Sequence, residues 1–306
     1  MKRIGLLPNV EKDIGLVNTA MILDWLEKKN CTINLLEVPA QLLQRSDLAK
    51  NENQLYRDSD FIVVLGGDGT FLGAARNAAL YDTPILGINL GTLGFLAEVE
   101  KRSSLEALQK VLNGEYSIEK RMMLEASVYD CHNDERKFIC LNDIGITRGS
   151  LSRIIDLKIF INDNFVDDYP ADGIIISTPT GSTGYNLSAG GPILDPNTNM
   201  MVITPICPHS LYARSIVVSD GDIIKVQIGE NFGCDVILTI DGQMGYHLKS
   251  NDIVTIQKSK YQTSLIKTSN YSFFDILRKK IVGTRSERYE SEASIENSRI
   301  DSKQFY

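Results

Sequence analysis

The chain has 306 residues, enough to bury a sizeable core and to form two domains. Its composition, 43% hydrophobic and 23% charged, is that of a globular protein and excludes disordered and fibrous classes. A net charge of −7 with no long Lys/Arg run argues against nucleic acid as a partner.

Arg3 to Leu7 reads as a first buried strand, stopped by Pro8 and Asn9. Val17 to Lys28 fits a partly amphipathic helix, Cys31 to Val38 a second strand, and the polar run Gln41 to Tyr56 a second helix. Phe61-Ile62-Val63-Val64-Leu65 is apolar throughout, as in a strand buried on both faces. Gly66-Gly67-Asp68-Gly69-Thr70 follows at once, and then an alanine-rich, helix-compatible run to Ala79. A strand at Pro84 to Asn89 comes next, then a helix at Ser103 to Leu112. Ser103 or Ser104 is its expected N-cap, and Gly114 lies just past its end. Strands alternating with helices imply an α/β domain over residues 1–120, with a doubly wound, Rossmann-like parallel sheet.

Near Lys120 the pattern changes. Leu124 to Tyr129 alternates, Asn133-Asp134 supplies a turn, and Lys137 to Leu141 resumes as the second strand of a hairpin. Leu157 to Asn162 and Phe165 to Tyr169 flank a second turn at Asn162-Asp163-Asn164. Gly173 to Ser177, Ser215 to Val218, Ile223 to Ile228, Asp235 to Ile240 and Asp252 to Lys258 read as further strands. Residues 121–270 therefore form a β-rich C-terminal domain. Ser272 to Lys280 is a closing helix expected to join the first domain (271–282), and 283–306, rich in charge and serine, are read as a mobile tail. The five cysteines form no Cys-x-x-Cys pair, and with three histidines no metal-ligand cluster is visible, so a reducing cytoplasm is expected. The apolar run at the N-terminus is too short for a signal peptide, and no segment is long enough to cross a bilayer. A cytoplasmic protein without membrane attachment is the expectation.

Two stretches carry the chemistry. At Gly66 to Thr70 a buried strand ends in a glycine turn where a helix begins, so backbone amides can approach phosphate oxygens. Asp68 is the anomaly, because a carboxylate in a turn that favours anions must hold a metal, take a proton or bind a hydroxyl. The bland alternative is a tight turn with a local cap. From Ser177 to Pro192, ten of sixteen residues are Ser, Thr or Gly, a density of hydroxyls and amides that suits a polyhydroxylated or phosphorylated ligand. A serine-rich linker is the alternative there, yet linkers rarely separate a buried strand from apolar Ile193-Leu194. Asn142-Asp143, Asp172-Gly173 and Asp241-Gly242-Gln243 stand at strand ends, where such side chains either turn the chain or read hydroxyls and base edges. Asn89 to Leu96 adds a glycine-rich loop whose Phe95 could stack on a base.

In order along the chain, these motifs resemble the NAD kinase family. The likeness rests on Gly66 to Thr70, Gly87-Ile88-Asn89 into Gly91-Thr92-Leu93-Gly94-Phe95-Leu96, Asn142-Asp143, Asp172-Gly173, Thr178 to Pro192, Pro205 to Leu211, Asp241-Gly242-Gln243 and Phe273 to Lys280. It spans roughly residues 2 to 282. The Gly-Gly-Asp-Gly turn alone is shared with lipid kinases and phosphofructokinases. The resemblance implies transfer of the terminal phosphoryl of ATP, or of polyphosphate, to the 2′-hydroxyl of the adenosine ribose of NAD. Mg²⁺ would be carried by the nucleotide, and NAD would lie between the two domains of a homodimer or homotetramer. By the same resemblance Asp68 is the proton acceptor and Gly69 lines the ligand. Asn142, Asp143, Arg153, Asp172, Gln243 and the run Thr183-Gly184-Tyr185-Asn186-Leu187-Ser188 bind NAD, with weaker carry-over at Phe95 and Pro170. Asp143 stands where Glu is commoner, Gly184 where Ala is usual, and Pro170 where some members have a basic side chain. Other small-molecule or lipid kinases, and a dinucleotide sensor without turnover, are the competing readings.

Overall fold

The structure is a computed structural model that describes residues 1–91, 94–129, 135–149, 153–230, 235–269 and 271–280. Strands β1 (Arg3–Pro8), β2 (Thr32–Leu36), β3 (Ala49–Lys50), β4 (Phe61–Gly66) and β5 (Ile85–Asn89) alternate with helices α1 (Val17–Lys28), α2 (Glu37–Leu42), α3 (Glu52–Arg57) and α4 (Asp68–Ala79). All five strands are parallel and lie side by side in the order 3-2-1-4-5, the doubly wound arrangement. Alternation of side chains explains the two covering layers. Ile4, Leu6, Phe61, Val63 and Leu65 pack under α1 on one face, whereas Ile62 and Val64 meet Leu55, Phe71 and Ala75 of α3 and α4 on the other. Every residue of β4 is buried, and each large side chain there contributes about 1.5–3 kcal/mol by leaving water.

Next come β6 (Val99–Glu100), α5 (Ser104–Asn113), β7 (Ser117–Tyr129), β8 (Glu135–Cys140), β9 (Asp143–Arg148), β10 (Ile155–Ile161), β11 (Asn164–Ala171) and β12 (Gly173–Ser177). They are followed by α6 (Tyr185–Ser188), β13 (Met200–Ile206), β14 (Ile216–Ser219), β15 (Ile224–Ile228), β16 (Val236–Ile240), β17 (Met244–Leu248) and β18 (Ile253–Lys267). Six strands make an antiparallel sheet in the order β14-β13-β12-β9-β16-β17. The others join the parallel sheet. β18 pairs with β5 on one side and with β7 and β15 along its length, giving one twelve-stranded sheet. Between the two sheets lies a core that includes Leu124, Ile144, Leu157, Ile159, Ile174, Ile176, Leu238 and Ile256.

Several expectations need correction. Gln41 to Tyr56 is not one helix. Gln44 adopts a left-handed φ of 57° just beyond α2. Asn51 then starts α3 with a capping box, its side chain accepting from the Gln54 amide at 2.9 Å. The second strand ends at Leu36 rather than Val38, because α2 begins at Glu37. Ser103 occupies the N-cap of α5 but makes no capping hydrogen bond, since a 3₁₀ turn at Lys101–Ser103 leads into the helix. Strands β9, β13 and β17 were not anticipated, and β7 and β18 run much longer than their alternating segments. The turn expected at Asn133-Asp134 and the tail beyond 283 lie outside the described residues. Residues Met1–Thr268 form one compact unit; in the second, which begins at Ser269, 273–280 are helical. Among the described residues no helix is long and apolar enough to cross a membrane.

Candidate active site

Asp68 is the first residue of α4. Its Oδ2 accepts from the Phe95 amide at 2.9 Å, and its Oδ1 from those of Leu96 and Ala97 at 3.2 and 3.3 Å. The glycine turn at the end of β4 and the loop after β5 are thus joined by one carboxylate. An ionised carboxylate offers about four acceptor positions, so Oδ2 keeps capacity for one further donor. Gly94 makes this approach possible, since a Cβ there would collide with the Asp68 carboxylate. Gly94→Ala is therefore expected to displace Asp68 and lower kcat about 10²-fold with little change in Tm; steady-state kinetics beside a melting curve checks this.

The neighbouring turn joins β8 to β9. Its Asn142 carbonyl accepts from the Thr178 amide at 2.9 Å, which docks the Ser/Thr/Gly run against it. A Cβ at Gly181 would strike the Asn142 backbone, so only glycine permits this contact. The position of a Cβ on Gly184 lies 3.4 Å from Asn142 Nδ2 and 3.8 Å from Asp143 Oδ2, which brings those three residues together. Asn142 Oδ1 is buried without a hydrogen-bond partner, an acceptor whose isolation is costly until a donor arrives. Asp143 is buried; burial first, and the nearby Asp241 second, push its carboxyl up to about 7.

The hydroxyls of the Ser/Thr run turn inward. Thr178 Oγ1 donates to the Leu141 carbonyl, Ser182 Oγ to that of Pro179, and Thr183 Oγ1 to that of Thr180. Asn186 is wholly buried; its Nδ2 donates to the Ser182 and Pro192 carbonyls while its Oδ1 accepts from Thr204. These side chains brace the loop. Tyr185, Leu187 and Ser188 are exposed on its outer side.

Gln243 follows β16 and crosses to α4, its Nε2 donating to the Gly69 carbonyl at 2.5 Å. Its Oε1 accepts from Arg76 Nη2 at 2.8 Å. Asp172, Pro170 and Arg153 belong elsewhere. Asp172 precedes β12 and accepts from Arg148 Nε at 2.6 Å, and the Pro170 carbonyl accepts from the His209 amide. From Asp172 to Thr178 the extended chain covers roughly 20 Å. The structure therefore brings Asp68, Gly69, Asn142, Asp143, Gly184 and Gln243 into one neighbourhood and places Asp172 and Pro170 at the opposite end of β12. Arg153 is exposed on the approach to β10.

Reading the sequence missed Lys12. A Cβ on Gly67 would lie 2.8 Å from Lys12 Nζ, so the ammonium stands over the glycine turn. Asn9 holds it there, its Oδ1 accepting from the Lys12 amide at 3.0 Å and its Nδ2 donating to Thr70 at 2.9 Å. The two segments are far apart in sequence, and no local pattern announces the contact. Arg76 and Asp241 were likewise not singled out as a pair.

A carboxylate at the C-terminal edge of a 3-2-1-4-5 sheet, beside a glycine turn and a cation, is an arrangement suited to a phosphorylated nucleotide. Comparison with known proteins agrees. The model of the ATP-NAD kinase N-terminal domain matches residues 4–116 and that of the C-terminal domain residues 141–268. The NAD kinase of Caldanaerobacter subterraneus subsp. tengcongensis is 48% identical over 281 residues, covering 92% of this chain and 99% of that one. That of Natranaerobius thermophilus is 40% identical over 283 residues, with the same coverage. Yeast NADH kinase, solved with NADH, superposes with a TM-score of 0.84 at 24% identity over 92% of this chain and 88% of that one. The NAD kinase of Archaeoglobus fulgidus, solved with ATP, gives 0.70 at 24% identity, covering 87% and 94%. The chain belongs to the NAD kinase family, enzymes that transfer a phosphoryl group to an alcohol.

Proposed function

We propose that the chain phosphorylates the 2′-hydroxyl of the adenosine ribose of NAD, with ATP as donor. The observation that carries this reading is the residual acceptor capacity of Asp68, whose neighbour Gly69 is linked to the Asn142-Asp143 turn by a chain of hydrogen bonds through Gln243, Arg76 and Asp241. Phosphoryl transfer needs positioning and charge stabilisation more than covalent help. Asp68 orients the hydroxyl and receives its proton late in a loose transition state, where a strong base is not required. The buried Asn142 Oδ1 suits the amino group of adenine, and Lys12 faces the side from which a polyanionic donor approaches.

Among the described residues no three His, Cys, Asp or Glu side chains are grouped to hold a metal. Mg²⁺ would arrive with the donor's phosphates, with Asp68 the carboxylate at hand, and would offset phosphate charge. Asp172, Pro170 and Arg153, remote from Asp68 along β12, suit a homo-oligomer in which one copy completes the site of another, as do the exposed Tyr185 and Leu187. The thiols of Cys31, Cys140 and Cys207 are free, which accords with a cytoplasmic setting.

The test is NADP formation across donors (ATP, polyphosphate) and acceptors (NAD, NADH), with and without Mg²⁺. NADP from NAD and ATP, abolished by chelation, is the expected result. No phosphorylated product with any pair would overturn the reading.

A further inference from the structure

Arg76 lies on the face of α4 that also carries Gly69, two turns further along the helix. Its Nη1 donates to Asp241 Oδ2 at 2.7 Å and its Nη2 to Gln243 Oε1. Asp241 has a wholly buried side chain and Arg76 one only 14% exposed. The remaining acceptor positions of Asp241 are also taken. Oδ2 accepts from the Leu141 amide at 3.3 Å, and Oδ1 from those of Asn142 and Asp143 at 2.7 and 3.3 Å. The Asp241 amide returns a bond to the Asp143 carbonyl at 2.9 Å. Four donors on one carboxylate exhaust its capacity. Asp241 therefore has nothing left to offer a ligand, and its role is to hold the Asn142-Asp143 turn.

We infer that Arg76 is a positioning residue that locks the dinucleotide-binding turn to the helix carrying Asp68, acting through Asp241 and Gln243. The hydrogen bonds run from Gly69 to Gln243, to Arg76, to Asp241 and on to the amides of residues 141–143, and α4 joins Gly69 to Arg76. Arg is suited to this because its planar fork meets two acceptors at fixed angles, whereas a lysine ammonium is a point charge. The inference rests on the reading of Asn142-Asp143 as an NAD contact.

Three variants test it: Arg76→Lys, Arg76→Met and the double variant Arg76→Met/Asp241→Asn. Arg76→Met leaves a buried carboxylate without its cation and lowers Tm. It is also expected to raise KM for NAD about tenfold or more and to lower kcat, with KM for ATP unchanged within about twofold. Arg76→Lys recovers part of the loss. The double variant removes the buried charge and recovers part of the lost Tm, but one amide oxygen cannot accept from three backbone amides, so KM for NAD stays high. If the double variant regains both Tm and the parental KM for NAD, the pair is merely structural and the inference falls. The dissociation constant for NAD, measured by calorimetry on parent and variants, decides the clamp separately. Loss of NADP formation in the parent would instead count against the proposed activity.

Discussion

Asp68→Asn is expected to lower kcat about 10²–10⁴-fold, the usual weight of a general base. The amide keeps the shape of the carboxylate and one acceptor oxygen. It cannot take the proton, and its NH₂ faces whichever backbone amides Oδ1 or Oδ2 served before, those of Phe95 or of Leu96 and Ala97. KM for NAD should change less than kcat, because the interaction gained in the transition state is the one removed. Turnover within about threefold of the parent would show that Asp68 is not the base. Burst measurements on the same variant separate a slow chemical step from slow product release.

The second large effect concerns stability. Asp143 ionises near 3.9 in an unfolded chain but is pushed up to about 7 in the folded protein, chiefly by burial and then by Asp241. Arg76, paired with Asp241, is the compensating cation nearby, and the buried Cys140 thiol is itself pushed up. Between about pH 4 and pH 7 the folded chain keeps a proton that the unfolded chain has released. Stability from this group is therefore full at low pH, falls as pH rises through that window, and is level above it. The gap corresponds to at most about 4 kcal/mol. Asp143→Asn should melt several degrees above the parent at pH 8, with the difference vanishing towards pH 4, while its affinity for NAD falls. An equal Tm difference at both pH values would refute the assignment. Such a gain in stability at the expense of binding is the usual mark of a residue kept for function.

Much of the fold is legible in the sequence where signals are local. The apolar run of β4 ends in glycine, α1 occupies Val17–Lys28 as its pattern predicts, and positive-φ Asn162 and Asp163 form the anticipated turn. The Asn51-x-x-Gln54 capping box that splits the expected second helix was also there to be read. The clamp was not. Arg76 and Asp241 are 165 positions apart, and nothing in either neighbourhood announces that one guanidinium meets one buried carboxylate. The Ser/Thr run is the opposite case. Its composition was plain, but its hydroxyls serve the loop itself, and only the fold shows which way they turn. Likewise the resemblance assigns Asn142 and Asp172 to one ligand, and only the fold shows that β12 separates them by its whole length.

The strand β18 has a consequence for biosynthesis. It comes last of the strands among the described residues, yet it supplies the hydrogen-bonding partner of β5, β7 and β15 at once. Until Ile253–Lys267 has left the ribosome, those three strands keep unsatisfied edges that invite pairing between nascent chains. The parallel sheet cannot be completed early and stored while the remainder is made. Refolding should accordingly show one late, cooperative phase, and chains truncated before Ile253 should aggregate rather than accumulate as a folded N-terminal half.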